Sequence, residues 1–164
     1  MGDTDGGADK FDAVVEKEKK SPLEIARFYE SRFLEDLALL AIRKPDSIVR
    51  ATDAIPESIE IVEKLIAKRY AYVTEQAIYF DTAQWEKYAT LFGRQKVERL
   101  PGARENVVLD PDKKHPEDFA LWFFLTGKYE HHILHWPSPW GEGFPGWHVE
   151  CSAMSTKNLG KTFD

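Results

Sequence analysis

Residues 136–155 read WPSPWGEGFPGWHVECSAMS. Three Trp, three Pro and three Gly surround the one Cys of the chain, Cys151. Pro and Gly at this density predict no regular structure over 136–146. Trp136, Trp140, Phe144 and Trp147 are costly to leave in water, so the loop is expected to pack them against a surface or a ligand. Gly141, Gly143 and Gly146 allow close backbone approach. Beyond Gly146 the pattern changes: WHVECSAMSTKNL (147–159) predicts a helix with Gly160 at its C-terminal cap. Cys151 then falls in the first two turns, where the helix N-terminus favours a thiolate. Three readings of this thiol stay open on the residues alone. It is a buried inert Cys, a nucleophile served by His148 three residues away, or a metal ligand. A zinc site needs about four ligands. His148 and Cys151 offer two, with His131, His132 and His135 upstream as a reserve.

Working outward, FALWFFL (119–125) is apolar throughout and rich in aromatics, which favours a strand. YAYV (70–73) and AIYF (77–80) predict a strand pair around TEQ, although the turn lacks Gly. SPLEIARFYESRFLEDLALLAI (21–42) predicts a helix: Ser21 as N-cap, Pro22 in the first turn and Glu24 completing a capping box. Ala26, Tyr29, Phe33, Leu37 and Leu40 make one apolar face. A second helix is expected from Thr52 or Asp53 to about residue 69, with Pro56 in its first turn and a stripe of Ile55, Ile59, Val62 and Ile66. Glu60 and Lys64 form an i,i+4 pair on its other face. The two helices are expected to pack antiparallel through Phe33, Leu37, Ile59 and Val62. AQWEKYATLF (83–92) suggests a short helix, and residues 100–118 read as connection with ENVV (105–108) as a short strand.

The chain has 164 residues, 43% of them hydrophobic and 30% charged, with a net charge of −6. That suffices for a core and argues against a general affinity for nucleic acid. A local basic cluster stands out all the same: Arg94, Lys96, Arg99 and Arg104 within eleven residues. It is either a solvated face or a contact surface. No apolar run reaches a membrane span, no signal peptide is expected, and a single Cys suits a reducing, cytoplasmic setting. The first residues, MGDTDGGADKFD, predict an acidic flexible loop over 1–20 that lacks the calcium-loop pattern of an EF-hand.

The segment from Trp136 to Met154 closely resembles the family of cysteinyl-tRNA synthetases. The likeness extends to HPEDFALWF (115–123), LPGARENVV (100–108), residues 50–73, AIYFDT (77–82) and SPLEIARFYESRF (21–33). The resemblance implies an α/β fold, part of a class I synthetase Rossmann-type catalytic domain with its connective insertion. It assigns 21–118 to that insertion and 119–164 to the return into the catalytic domain. It implies ATP with magnesium, L-cysteine and tRNA-Cys as partners, and a zinc ion that holds the substrate thiolate. Cys151 would be a zinc ligand and Trp147 would border the cysteine pocket; the basic cluster Arg94, Lys96, Arg99 and Arg104, read from composition alone, is the candidate tRNA contact. The family's His-Ile-Gly-His and Lys-Met-Ser-Lys-Ser motifs find no counterpart, and MSTKNLG (154–160) does not supply the latter. The resemblance therefore reads the chain as an internal piece of a synthetase, without catalytic residues of its own and completed by the remainder of the synthetase chain. A stand-alone module binding the tRNA acceptor end, or a cysteine ligase of mycothiol synthesis, are the other readings.

Overall fold

The computed structural model describes residues 15, 19–85, 88 and 110–163. The expected acidic loop, the 83–92 helix beyond Trp85, the 105–108 strand and the basic cluster fall wholly or mostly outside them. The chain divides into two compact units, Met1–Ile48 and Val49–Asp164.

The first unit carries helix α1, Pro22–Leu39. Its capping box forms as expected: the Glu24 N–H donates to Ser21 Oγ at 3.3 Å, and the Ser21 N–H donates to the Glu24 carboxylate at 2.9 Å. The helix stops three residues before the expected Ile42. Ala41 takes a left-handed φ of 54°, its N–H returns to Ala38 O, and the Ile42 N–H returns to Leu37 O. That pair of bonds is a Schellman closure, made here without glycine. The expected apolar face is not a core. α1 buries Pro22 and Ile25, Leu37 is half-buried, and Tyr29, Phe33 and Leu40 are exposed. Phe33, at 60% exposure, does not serve as the packing residue expected of it. Periodicity marks a face without supplying what covers it.

In the second unit a 3-10 turn, Ala51–Asp53, leads into α2, Ile55–Ala67. The helix thus starts just after the expected Thr52 or Asp53, with Pro56 in its first turn. Ile55 and Val62 are buried, and Ile59 and Ile66 pack partly against them, as the stripe requires. α2 closes as α1 does, with Arg69 at φ 63° and the Tyr70 N–H bonded to Leu65 O.

Four strands follow: β1 Ala71–Val73, β2 Ala77–Phe80, β3 Phe119–Phe124 and β4 Gly143–Pro145. They form one antiparallel sheet in the order β1-β2-β3-β4. The β1–β2 turn manages without Gly because Thr74 takes over the hydrogen bonding. Its hydroxyl accepts from the Gln76 and Ala77 N–H groups, and its backbone N–H donates to Ala77 O at 2.9 Å. Helix α3, Trp147–Leu159, ends at Gly160 with φ 94°, as expected. It packs on α2, and Lys157 pairs with Glu57 across the two helices. Ile55, Val62, Ala71, Ile78, Leu121, Trp122 and Val149 form the core between these layers.

The α/β class expected from the sequence is what the structure shows. A further local expectation is overturned: 136–146 does contain regular structure. β4 pairs with β3, Trp122 opposite Pro145 and Phe123 opposite Phe144, and a bridge joins Trp136 to Gly143. β4 is an edge strand, where a proline's missing N–H is tolerated. Gly143 is needed there because a Cβ would lie 2.1 Å from Phe123 O. Among the described residues no helix is long and apolar enough to cross a membrane.

Candidate functional site

The site is built on the start of α3. Gly146 anchors it: its N–H donates to Leu121 O at 2.9 Å, and a Cβ there would lie 2.1 Å from Ala120 O. The first turn of the helix therefore sits directly on β3. Val149 and Ala153 point into the core. Trp147 and Cys151, one helical turn apart, share the opposite face. Trp147 is 57% exposed and the Cys151 thiol is exposed as well. In this chain Cys151 is therefore exposed, where one of the three readings had it buried. Glu150 between them is buried, and burial pushes its carboxyl above the usual carboxylate range.

The other aromatics of the loop do find partners. Trp140 meets the fully buried Trp122 edge-on at 6.1 Å, and Phe144 stacks on Phe123 at 5.1 Å. The turn between them is closed by Ser138, whose hydroxyl donates to Gly141 O, with Gly141 at φ 117°. With Trp136 and Trp140 partly buried against the core and Phe144 buried, Trp147 is the most exposed aromatic of its loop. The His148 ring stacks on Trp147 at 3.7 Å and lies 4.7 Å from Phe119. Beside it opens a cavity of about 240 Å³. Ile61 and Leu65 of α2, Phe80 and Phe119 of the sheet, and His148 and Ser152 of α3 contribute to its walls.

The upstream histidines do other work. His132 stacks on Phe144 at 3.9 Å, and its Nδ1–H donates to Leu134 O. The His135 Nδ1–H donates to His132 O, and its Nε2 lies 3.4 Å from Glu142. Among the described residues no three His, Cys, Asp or Glu come together to hold a metal. The reserve of His131, His132 and His135 does not complete a site around Cys151. The soft, exposed thiol suits zinc as one donor, and the remaining donors would have to come from outside the described residues.

Sequence reasoning passed over a second cluster, centred on Asp118. This buried carboxylate accepts from Tyr72 Oη at 2.7 Å, Thr82 Oγ1 at 2.8 Å, Thr82 N at 2.9 Å and His115 N at 3.2 Å. Burial pushes its carboxyl up, but the bonds from Thr82, Tyr72 and His115 outweigh it and hold the group below the usual range. Burial and the facing Asp118 raise the Tyr72 hydroxyl. Lys114 sits over the Tyr72 ring at 4.3 Å and pairs with the buried Asp81 at 3.2 Å. A few residues upstream, Asp110 accepts from Thr74 Oγ1 at 2.8 Å and from the Asp112 N–H at 3.0 Å. The two aspartates fasten the 110–118 connection to the hairpin and fix where β3 begins. The sequence signal was a pair of adjacent carboxylates, Glu117 and Asp118, directly before an all-apolar run, FALWFF.

Residues 4–164 match the family model for the tRNA synthetases class I (C) catalytic domain. The chain belongs to that family. It is similar to the cysteine–tRNA ligase of Chlorobaculum tepidum, 44% identical over 99% of this chain and 32% of the relative. The corresponding ligase of Deinococcus radiodurans is 42% identical over 100% of the chain and 32% of the relative. That of Salinibacter ruber is 41% identical over 97% of the chain and 31% of the relative. The chain thus spans about a third of the length of these curated relatives. Within this class I synthetase domain, the α3 start and the Asp118 clamp both lie in the matched residues.

Proposed function

We propose that the chain is part of a cysteine–tRNA ligase, which activates L-cysteine with ATP and magnesium and transfers it to tRNA-Cys in the cytoplasm. The observation that carries this reading is the shared exposed face of Trp147 and Cys151 on a helix clamped against the sheet. The names of the similar ligases support it and favour neither the mycothiol-type ligase nor a non-catalytic tRNA-binding module.

In this reading Trp147 forms one wall of the cysteine pocket, and its ring shields the amino acid from water. Cys151 serves as one zinc ligand. Zinc prefers a thiolate to a hydroxyl, which is the chemistry that separates cysteine from serine. Gly146 and β3 hold both side chains at a fixed distance from the core, so the pocket wall is set before substrate arrives. Residues 21–118 belong to the connective insertion and 119–164 to the catalytic domain. Arg94, Lys96, Arg99 and Arg104 contact the tRNA backbone.

The test is cysteine-dependent ATP–pyrophosphate exchange and zinc content of the full-length protein, with Cys151→Ser and Trp147→Ala. Cys151→Ser is expected to lose zinc and cysteine activation together. Full zinc content and unchanged exchange in that variant would overturn the assignment. The 164-residue chain alone is expected to show no exchange.

A further inference from the structure

Two exposed rings that stack on each other need something to hold them. Trp147 is the first residue of α3, so no preceding helical turn restricts its side chain. His148 is the next residue, and neighbours on a helix point about 100° apart rather than toward each other. Their rings nevertheless lie 3.7 Å apart at 28°. The His148 ring therefore leans toward Trp147, and it also meets Phe119 at 4.7 Å.

Phe119 is fixed in its turn. It is the first residue of β3 and stands opposite Phe80 in the sheet register. The two rings stack at 5.1 Å and 17°, and Phe80 stacks on Tyr70 at 6.4 Å and 7°. A row of five rings thus runs from the end of α2, across β2 and β3, to the first turn of α3: Tyr70, Phe80, Phe119, His148, Trp147. The Asp118 clamp sits immediately before the third ring. The open cavity borders Phe119 and His148. A smaller side chain at 119 would enlarge that space and let the His148 ring drop into it, releasing Trp147.

We infer that Phe119 is a positioning residue for the amino-acid pocket, which through the His148 ring holds the Trp147 indole in its substrate-facing orientation. This rests on the reading of Trp147 as a wall of the cysteine pocket. Phe119 does not touch substrate; it acts through His148.

The experiment has two arms. In the 164-residue chain, the ring protons of His148 are read by NMR in wild type, Phe119→Leu and Phe119→Tyr. Ring-current shifts are expected in wild type and Phe119→Tyr and should collapse in Phe119→Leu, while the buried Trp122 resonances stay in place. In the full-length synthetase, Phe119→Leu should raise the KM for cysteine by about tenfold or more, with about 100-fold as the scale of a 1 Å misplacement. The KM for ATP and kcat should change little, and Phe119→Tyr should restore the cysteine KM. Should Phe119→Leu fail to fold, His148→Ala cuts the same link at an exposed side chain and should give the same KM split. Unchanged His148 shifts in Phe119→Leu would overturn the inference whatever the pocket binds. So would equal effects on the cysteine and ATP constants. Trp147→Ala separates the two levels. If it raises the cysteine KM and Phe119→Leu does not, the positioning role alone fails. If neither moves it, the pocket assignment of Trp147 fails as well.

Discussion

Replacing Asp118 by Ala should unfold the second unit at markedly lower denaturant. The carboxylate accepts four hydrogen bonds, from Tyr72, His115 and twice from Thr82. Thr82 is buried, so its N–H and hydroxyl would be stranded away from water. Each such stranded group costs about 1–3 kcal/mol. The His115 N–H lies at an exposed residue and recovers a water partner. Tyr72 is half-buried and recovers one in part. The expected loss is about 3–5 kcal/mol, because neighbouring deletions do not add in full. Asp118→Asn keeps the shape and one acceptor oxygen but turns a donor toward the His115 N–H, and should cost about 1–2 kcal/mol. The pH dependence has a definite sign. The folded carboxyl lies below its unfolded value, so its stabilisation is fully present above the ordinary Asp pKa of about 3.9. It fades as pH falls through the lower folded value. The gap between wild type and Asp118→Ala should therefore be constant from neutral pH down to about 5 and shrink below about 4. Urea melts followed by far-UV circular dichroism across that range measure both. A loss under about 0.5 kcal/mol at pH 7 would refute the clamp, as would a gap that widens in acid.

Gly146→Ala places a Cβ 2.1 Å from Ala120 O, so α3 must lift off β3. A thermal melt should show a loss of at least about 1 kcal/mol, as for an overpacked contact, and activity of the full-length protein should fall with it. Phe33→Ala, at an exposed position of α1, should change the urea stability of the 164-residue chain by less than about 0.5 kcal/mol. A larger loss would mean that the face is covered. The 164-residue chain should bind zinc weakly, since a tight site needs about four ligands placed together, and Cys151 should react with maleimide at the rate of an accessible thiol. One tightly held zinc per chain with Cys151 protected would contradict the donor set described above.

How much of this was legible in the residues depends on whether the cause was local. The capping box of α1, the Gly160 cap of α3 and the strand at 119–124 are written within a few neighbouring residues, and all three were readable. The Pro- and Gly-rich loop misled because its structure is not local. Gly143 and Pro145 look like strand breakers until β3 lies alongside, and then Gly143 is what permits the pairing and the edge position is what tolerates Pro145. The apolar face of α1 misled for the complementary reason, since a stripe records that a face is apolar and says nothing of its partner. The site divides in the same way. Trp147 and Cys151 stand one turn apart on a helix, so their common face follows from spacing alone. Asp118 gathers donors from Tyr72 and Thr82, 46 and 36 positions away, and no periodicity reports that. The aromatic row is likewise made by sheet register, which brings Phe80 opposite Phe119. What the sequence hid is thus the framework that aims the site, while the residues that face outward from it were plain to read. A substitution in that framework, at Asp118, Phe119 or Gly146, should therefore shift the exposed face of Trp147 and Cys151 although none of the three residues belongs to it.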